Sequence, residues 1–107
     1  MKQEKVKLDG EDIGEGYVIP LQGCNLVLIK TEEGLLGCGA IDVDALAGLG
    51  IPAACISGVS TLEDLLSGSV KKVNSPAAAR GIDAGMSGKD ALHRLCREKN
   101  FFNENAE

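Results

Sequence analysis

Apolar positions in the first part of the chain occur in short runs separated by glycines and charged residues, a pattern typical of β-strands. Val6 and Leu8 alternate with lysines and predict a first short strand. The glycines within residues 10–16 predict a turn, after which residues 17–21 predict a second strand. Pro20 has no amide proton to donate, so it indicates an edge or a bend in that strand.

Residues 25–30 and 35–41 are two nearly continuous apolar runs, separated by the turn sequence Thr-Glu-Glu-Gly at 31–34. Two extended runs joined by about four residues are typical of a β-hairpin. This hairpin is the strongest local structural signal in the sequence.

The second half of the chain alternates helical and extended patterns. Asp42 predicts the cap of a short helix that stops at Gly48 or Gly50, and residues 51–56 predict a buried strand. Residues 60–63 have the form of a capping box, which predicts a helix that starts there and ends at Gly68.

Residues 70–73 predict a further short strand, and Ser75 is placed to cap a helical turn that begins with Pro76 and ends at Gly81. Ser87 and Asp90 form a second capping pair, before a helix that runs to about Glu98. That helix places one set of small and apolar side chains on a single face: Ala91, Leu92, Leu95 and Cys96.

This order of elements predicts the α+β class: a two-layer α/β sandwich with a mixed, mainly antiparallel sheet and short helices on one face. A chain of 107 residues fits one domain, which we assign to residues 1–100, with a C-terminal tail at 101–107.

Composition excludes several classes of function. The formal net charge is −5 and only three residues are aromatic, which disfavours nucleic-acid binding through basic patches or base stacking. No apolar run approaches the roughly 20 residues of a membrane helix, and the polar residues 1–16 do not resemble a secretory signal. We therefore expect a cytoplasmic protein that binds no membrane and keeps its four cysteines as thiols.

The order and spacing of five short motifs resemble the YunC-like family of small bacterial and archaeal proteins, a domain of unknown function. The motifs are Gly-Cys-Asn at 23–25, Gly-Leu-Leu-Gly-Cys-Gly at 34–39, Gly-Ile-Pro-Ala-Ala at 50–54, Val-Lys-Lys-Val-Asn at 70–74 and Gly-Ile-Asp-Ala-Gly-Met-Ser-Gly at 81–88. The resemblance covers residues 21–95. It implies a two-layer α/β sandwich and a small cytoplasmic protein, and it implies no established activity, substrate or catalytic residue.

Basic residues concentrate where glycines also gather. Residues 68–97 hold six basic and two acidic side chains, whereas the rest of the chain holds five basic and fourteen acidic ones. Free amides at the start of a helix attract anions, and glycine lets a ligand approach the backbone closely. We therefore predict a site for a small anionic ligand, formed by Lys71, Lys72, Arg80, Gly85, Ser87, Gly88 and Lys89. The alternative is that these glycines form turns and the charges are solvated, because no Walker or Rossmann signature is present.

Cys38 and Cys24 are the candidates for a catalytic thiol, because neighbouring glycines leave room for a substrate. Activation requires a base or a cation nearby, and His93 is the sole histidine. The alternative is that Cys38 and Cys55 are small buried hydrophobic residues.

No metal or other cofactor is expected. The four cysteines and His93 could supply enough ligands, but no Cys-x-x-Cys spacing occurs. Asp42 and Asp44 follow a predicted strand and are candidates for a paired acid and base. Asp42 is more economically explained as a helix cap.

Self-association is a further prediction. Residues 25–29 and 35–41 are apolar on both faces, so one face of the sheet needs cover from a second copy in a homodimer, or from the N-terminal strand and Phe101-Phe102.

The sequence leaves three hypotheses of function: a small-ligand (anion) binding or regulatory module, a cysteine-dependent enzyme using Cys38 or Cys24, and a structural adaptor for a protein partner. The sequence does not decide whether the protein is an enzyme.

Overall fold

The computed structural model describes residues 1–96. The predicted tail at 101–107, and the part of the last helix predicted beyond residue 96, lie outside the described residues.

A single six-stranded sheet follows the order of the chain from β1 to β6. Every neighbouring pair is antiparallel except β4 and β5, which are parallel. The strands are β1 (Lys2–Leu8), β2 (Glu11–Leu21), β3 (Cys24–Thr31), β4 (Leu35–Cys38), β5 (Ala53–Ile56) and β6 (Lys72–Val73). The α+β class, the mainly antiparallel mixed sheet and the predicted hairpin are therefore confirmed, the hairpin as the β3–β4 pair.

Four short helices accompany the sheet: α1 (Val43–Ala47), α2 (Leu62–Ser67), α3 (Ser75–Ala78) and α4 (Gly88–Leu95). The connection that contains α1 joins the parallel strands β4 and β5, as parallel pairing requires. No helix among residues 1–96 is long and apolar enough to cross a membrane.

The first turn is tighter than predicted. The reversal uses only Asp9 and Gly10, both with positive φ (53° and 82°), the geometry of a two-residue hairpin turn. Gly14 and Gly16 lie within β2 instead of in a turn. Their missing side chains allow close packing, because a Cβ on Gly14 would lie 2.2 Å from the carbonyl oxygen of Lys30.

Two helix caps differ from the prediction by one residue. Thr61 caps α2, and its capping-box partner is Asp64 instead of Glu63. Asn74 caps α3, whereas Ser75 is already the first helical residue. The last helix also ends earlier than predicted, because Cys96 has left helical geometry (ψ 158°).

Most of the core lies between one sheet face and the helices α2 and α4. Val27, Ile29 and Leu36 from the sheet are fully buried against Leu65 and Leu92. A smaller cluster forms on the opposite face, where α1 packs on the parallel strands. The fold is thus a sandwich in which α2 and α4 cover one face and α1 covers part of the other.

The part of that second face that no helix of residues 1–96 covers belongs to β1, β2 and β3. Tyr17 pairs with Leu28 and Ile19 with Leu26 in the register between β2 and β3. Tyr17, Ile19 and Leu28 are half-buried and belong to neither core cluster. These three residues define what we call the open sheet face.

Candidate functional site

Two of the predicted anion ligands, Lys71 and Lys72, make different contacts in the structure. Lys72 lies in β6 opposite Cys55, and its ammonium group donates to Asp44 at the start of α1 at 2.9 Å. This hydrogen bond raises the pKa of Lys72 above its ordinary value. The ammonium group of Lys71 forms none of the ion pairs found among residues 1–96.

Arg80 holds the C-terminal end of α4. Its guanidinium group donates to the carbonyl oxygens of Arg94 at 2.9 Å and Cys96 at 3.4 Å, and it forms an ion pair with Glu33. An eight-residue helix is about 12 Å long. Arg80 is therefore separated by that length from Ser87 at the other end of α4.

The start of α4 is closed by protein groups. The amide of Gly88 donates to the carbonyl oxygen of Gly68 at 3.0 Å, and Ser87 Oγ accepts from the amide of Asp90 at 3.1 Å. Gly85 forms a turn with φ 95° and donates its amide to Val70. Lys89 is exposed. Gly85, Ser87 and Gly88 therefore adjoin residues 68–70, beside Lys71, whereas Lys72 and Arg80 make their contacts elsewhere. The Gly88 amide, on which the anion prediction relied, is already used by Gly68.

A cleft of ≈ 410 Å³ opens at another place, beyond the carboxyl end of β5. Residues 56–59 form one wall as the chain leaves the strand, and Asp64 with residues 67–69 forms the other. Lys71 completes the lining and is the one predicted ligand residue that reaches it. Since β4 and β5 are the parallel pair, the cleft occupies the end of the sheet where α/β proteins commonly bind ligands.

The lining combines hydroxyl groups with one cation and one anion. The side chains of Ser57 and Ser69 make no hydrogen bond within residues 1–96, whereas Ser67 Oγ donates to the carbonyl oxygen of Glu63 at 3.0 Å. Sequence reasoning missed this site. The sequence feature that could have predicted it is Ser57-Gly58, which directly follows a predicted buried strand.

The cysteines are dispersed. Cys24 is exposed at the start of β3, whereas Cys38 is 6% exposed, and burial raises the pKa of the neighbouring Cys55 thiol. His93 faces Asp9 across 3.5 Å. The only ion-pair partner of His93 within residues 1–96 is thus Asp9, and no group of metal-binding side chains is found in that part of the chain.

Three comparisons relate the chain to known proteins. The sequence pattern of a family described as "Domain of unknown function (DUF1805)" matches residues 37–95. The protein described as "Uncharacterized protein YunC" of Bacillus subtilis (strain 168) is 32% identical over 83 residues, which cover 74% of this chain and 82% of that protein. A crystal structure of a protein of unknown function, TA1206 from Thermoplasma acidophilum, has the same fold, with a TM-score of 0.81 at 24% identity over 88% of this chain and 91% of that chain.

Proposed function

The chain belongs to the DUF1805 family, and from this premise we propose that it is a small-ligand binding module whose cleft beyond β5 takes molecules carrying an anionic group. The observation that carries the proposal is that Lys71, which forms no ion pair within residues 1–96, lines a cleft together with Ser57 and Ser69. A cation and neutral donors converging on a half-open pocket are typical of sites for small anions.

The size of the cleft suits a small molecule rather than a macromolecule. Its ≈ 410 Å³ lies at the lower end of the range for ligand pockets. Val59 is half-buried and adds apolar surface to the lining, so a ligand with an anionic group and an apolar part matches both features of the cleft. The sheet and the α2 end hold the two walls, which preserves the pocket without a ligand.

The test is an NMR titration of the ¹⁵N-labelled protein with 4-methylpentanoate, which joins a carboxylate to a branched apolar chain. If each of its eight non-hydrogen atoms contributes about 0.5 kcal/mol of binding free energy, the dissociation constant is expected to be about 1 mM. The amide signals of residues 57–59 and 67–71 should shift. A titration that leaves these signals in place at 20 mM probe would reject the proposal.

Lys71→Met should weaken the binding of 4-methylpentanoate about tenfold, because it removes one charge-assisted hydrogen bond and keeps the aliphatic stem. Lys72→Met is the matched control, since Lys72 is the next residue and pairs with Asp44 away from the cleft. Equal losses in the two variants would point to a general charge effect and count against the cleft.

The expected cytoplasmic location and the homodimer stay predictions. For the homodimer, the open sheet face offers Tyr17, Ile19 and Leu28 to a second copy. The adjacent row Lys5, Glu15 and Lys30 carries both signs of charge, so a second copy can match it.

We expect sedimentation velocity at about 50 μM to give a dimer, and Leu28→Lys to give a monomer because it places a charge in the centre of the open sheet face. Leu49→Lys is the control. Leu49 is 73% exposed beyond the end of α1, so this variant should keep the dimer. A wild-type monomer at that concentration would refute self-association through this face.

A further inference from the structure

Two opposite charges line the cleft without meeting each other. Asp64 and Lys71 both belong to the lining, yet no ion pair joins them among those formed by residues 1–96. A ligand that carries both signs of charge could engage the two groups at once.

The carboxylate of Asp64 is half occupied. Its Oδ2 atom accepts hydrogen bonds from the amides of Ser60 at 3.0 Å and Thr61 at 3.1 Å, and no amide of residues 1–96 donates to Oδ1. The amide of Ser60 is the main reason that the pKa of Asp64 is lowered, so the group is ionised at neutral pH. One carboxylate oxygen is thus available to an external donor.

An apolar surface accompanies the two charges. Ile56 is almost fully buried at the end of β5, and Val59 is half-buried and packs against the main core. Both line the cleft, and Val59 keeps part of its side chain accessible, so an aliphatic ligand group gains contact area mainly on Val59.

We propose, building on the proposed function, that the cleft takes an amino-acid-like zwitterion with an apolar side chain. Its carboxylate binds Lys71, its ammonium group binds Asp64, and its side chain rests on Ile56 and Val59. The charges of the lining sum to zero, which suits a zwitterion. A dianion such as phosphate meets the Asp64 carboxylate as well as the Lys71 ammonium, and that repulsion offsets part of the attraction.

Three probes that share the branched 3-methylbutyl unit separate the contributions. Leucine carries both charges, 4-methylpentanoate lacks the ammonium group, and 3-methylbutylamine lacks the carboxylate. By NMR titration at pH 7, leucine should bind about fivefold tighter than 4-methylpentanoate and about tenfold tighter than 3-methylbutylamine.

Asp64→Asn is the decisive variant, because an amide oxygen can still accept from the amides of Ser60 and Thr61 while the negative charge is lost. It should weaken the binding of leucine about fivefold. It should tighten the binding of 4-methylpentanoate, since the repulsion between two carboxylates is removed. A loss of local structure would weaken both probes together. Glu63→Gln, one residue earlier and outside the lining, is the matched control and should change neither affinity.

The outcomes distinguish the two proposals. If 4-methylpentanoate binds in the cleft and leucine binds no tighter, or if Asp64→Asn leaves the affinity for leucine unchanged, the zwitterion is rejected and anion binding stands. If 4-methylpentanoate leaves the cleft signals in place at 20 mM, the proposed function itself is rejected. Opposite responses of the two probes to Asp64→Asn support the zwitterion.

Discussion

Replacing Asn74 with alanine is expected to lower the free energy of unfolding by about 4 kcal/mol. Asn74 is 3% exposed and joins three segments of the fold through its side chain. Oδ1 accepts from the amides of Ala53 at 3.1 Å and Ala77 at 3.0 Å, and Nδ2 donates to the carbonyl oxygens of Val43 at 2.8 Å and Ile51 at 2.9 Å. Each buried group left without a partner costs about 1–3 kcal/mol, and these costs add only partly.

Urea denaturation followed by circular dichroism measures this loss. Ser75→Ala is the control, because Ser75 is exposed, follows Asn74 directly and was the cap predicted from the sequence. It should change the free energy of unfolding by less than about 0.5 kcal/mol. Similar losses in the two variants would contradict the assignment of the cap to Asn74.

Asn74→Asp adds a test by pH. The new carboxylate would keep the acceptor and lose the donor, so its charge would face the carbonyl oxygens of Val43 and Ile51. The amides of Ala53 and Ala77 would lower its folded-state pKa, but we expect burial and the two facing carbonyl oxygens to outweigh them and to raise it above the unfolded value of about 3.9. Because the folded state then binds the proton more tightly, stability is highest below that unfolded value and falls as the pH rises. The variant should be destabilised more at pH 7 than at pH 4.

The elements of this fold were predictable wherever local pattern decides them. The β3–β4 hairpin follows from two apolar runs around a turn, and Asp42 and Ser87 cap α1 and α4 as predicted. The exact residue of a cap was less predictable, because Asn74 and Ser75 are both good caps and only the tertiary contacts of Asn74 decide between them.

The predicted anion site shows why sequence proximity is a weak guide to a binding site. Lys71 and Lys72 are adjacent, yet only Lys72 reaches Asp44, since neighbouring side chains of an extended chain point in opposite directions. The Arg80 side chain donates to a carbonyl oxygen at the C-terminal end of α4, and no sequence motif predicts that contact. The cleft itself arises from the route between β5 and α2, which depends on packing.

Replacing Gly88 with alanine is expected to lower the free energy of unfolding by about 3 kcal/mol, although helix propensity alone predicts a gain of up to about 1 kcal/mol. Gly88 is buried at the first position of α4, where a Cβ would lie 1.7 Å from the carbonyl oxygen of Leu65 in α2. A backbone atom cannot move aside as a side chain can, so α2 and α4 must separate.

Gly48→Ala is the matched control. Gly48 follows α1 with helical geometry (φ −64°), and its Cβ would lie 3.4 Å from its nearest neighbour, the Ala45 carbonyl oxygen. This variant should be neutral or slightly more stable in the same urea experiment. If both alanines stabilise the protein, the close contact of α4 with α2 is refuted.

The Gly88 variant also links packing to the cleft. The Gly88 amide donates to the carbonyl oxygen of Gly68, and Gly68 lines the cleft at the end of α2. Separating the helices should therefore displace one wall of the cleft and weaken the binding of 4-methylpentanoate, under conditions where the variant is still folded. A destabilised variant that retains full affinity would show that the cleft does not depend on this contact.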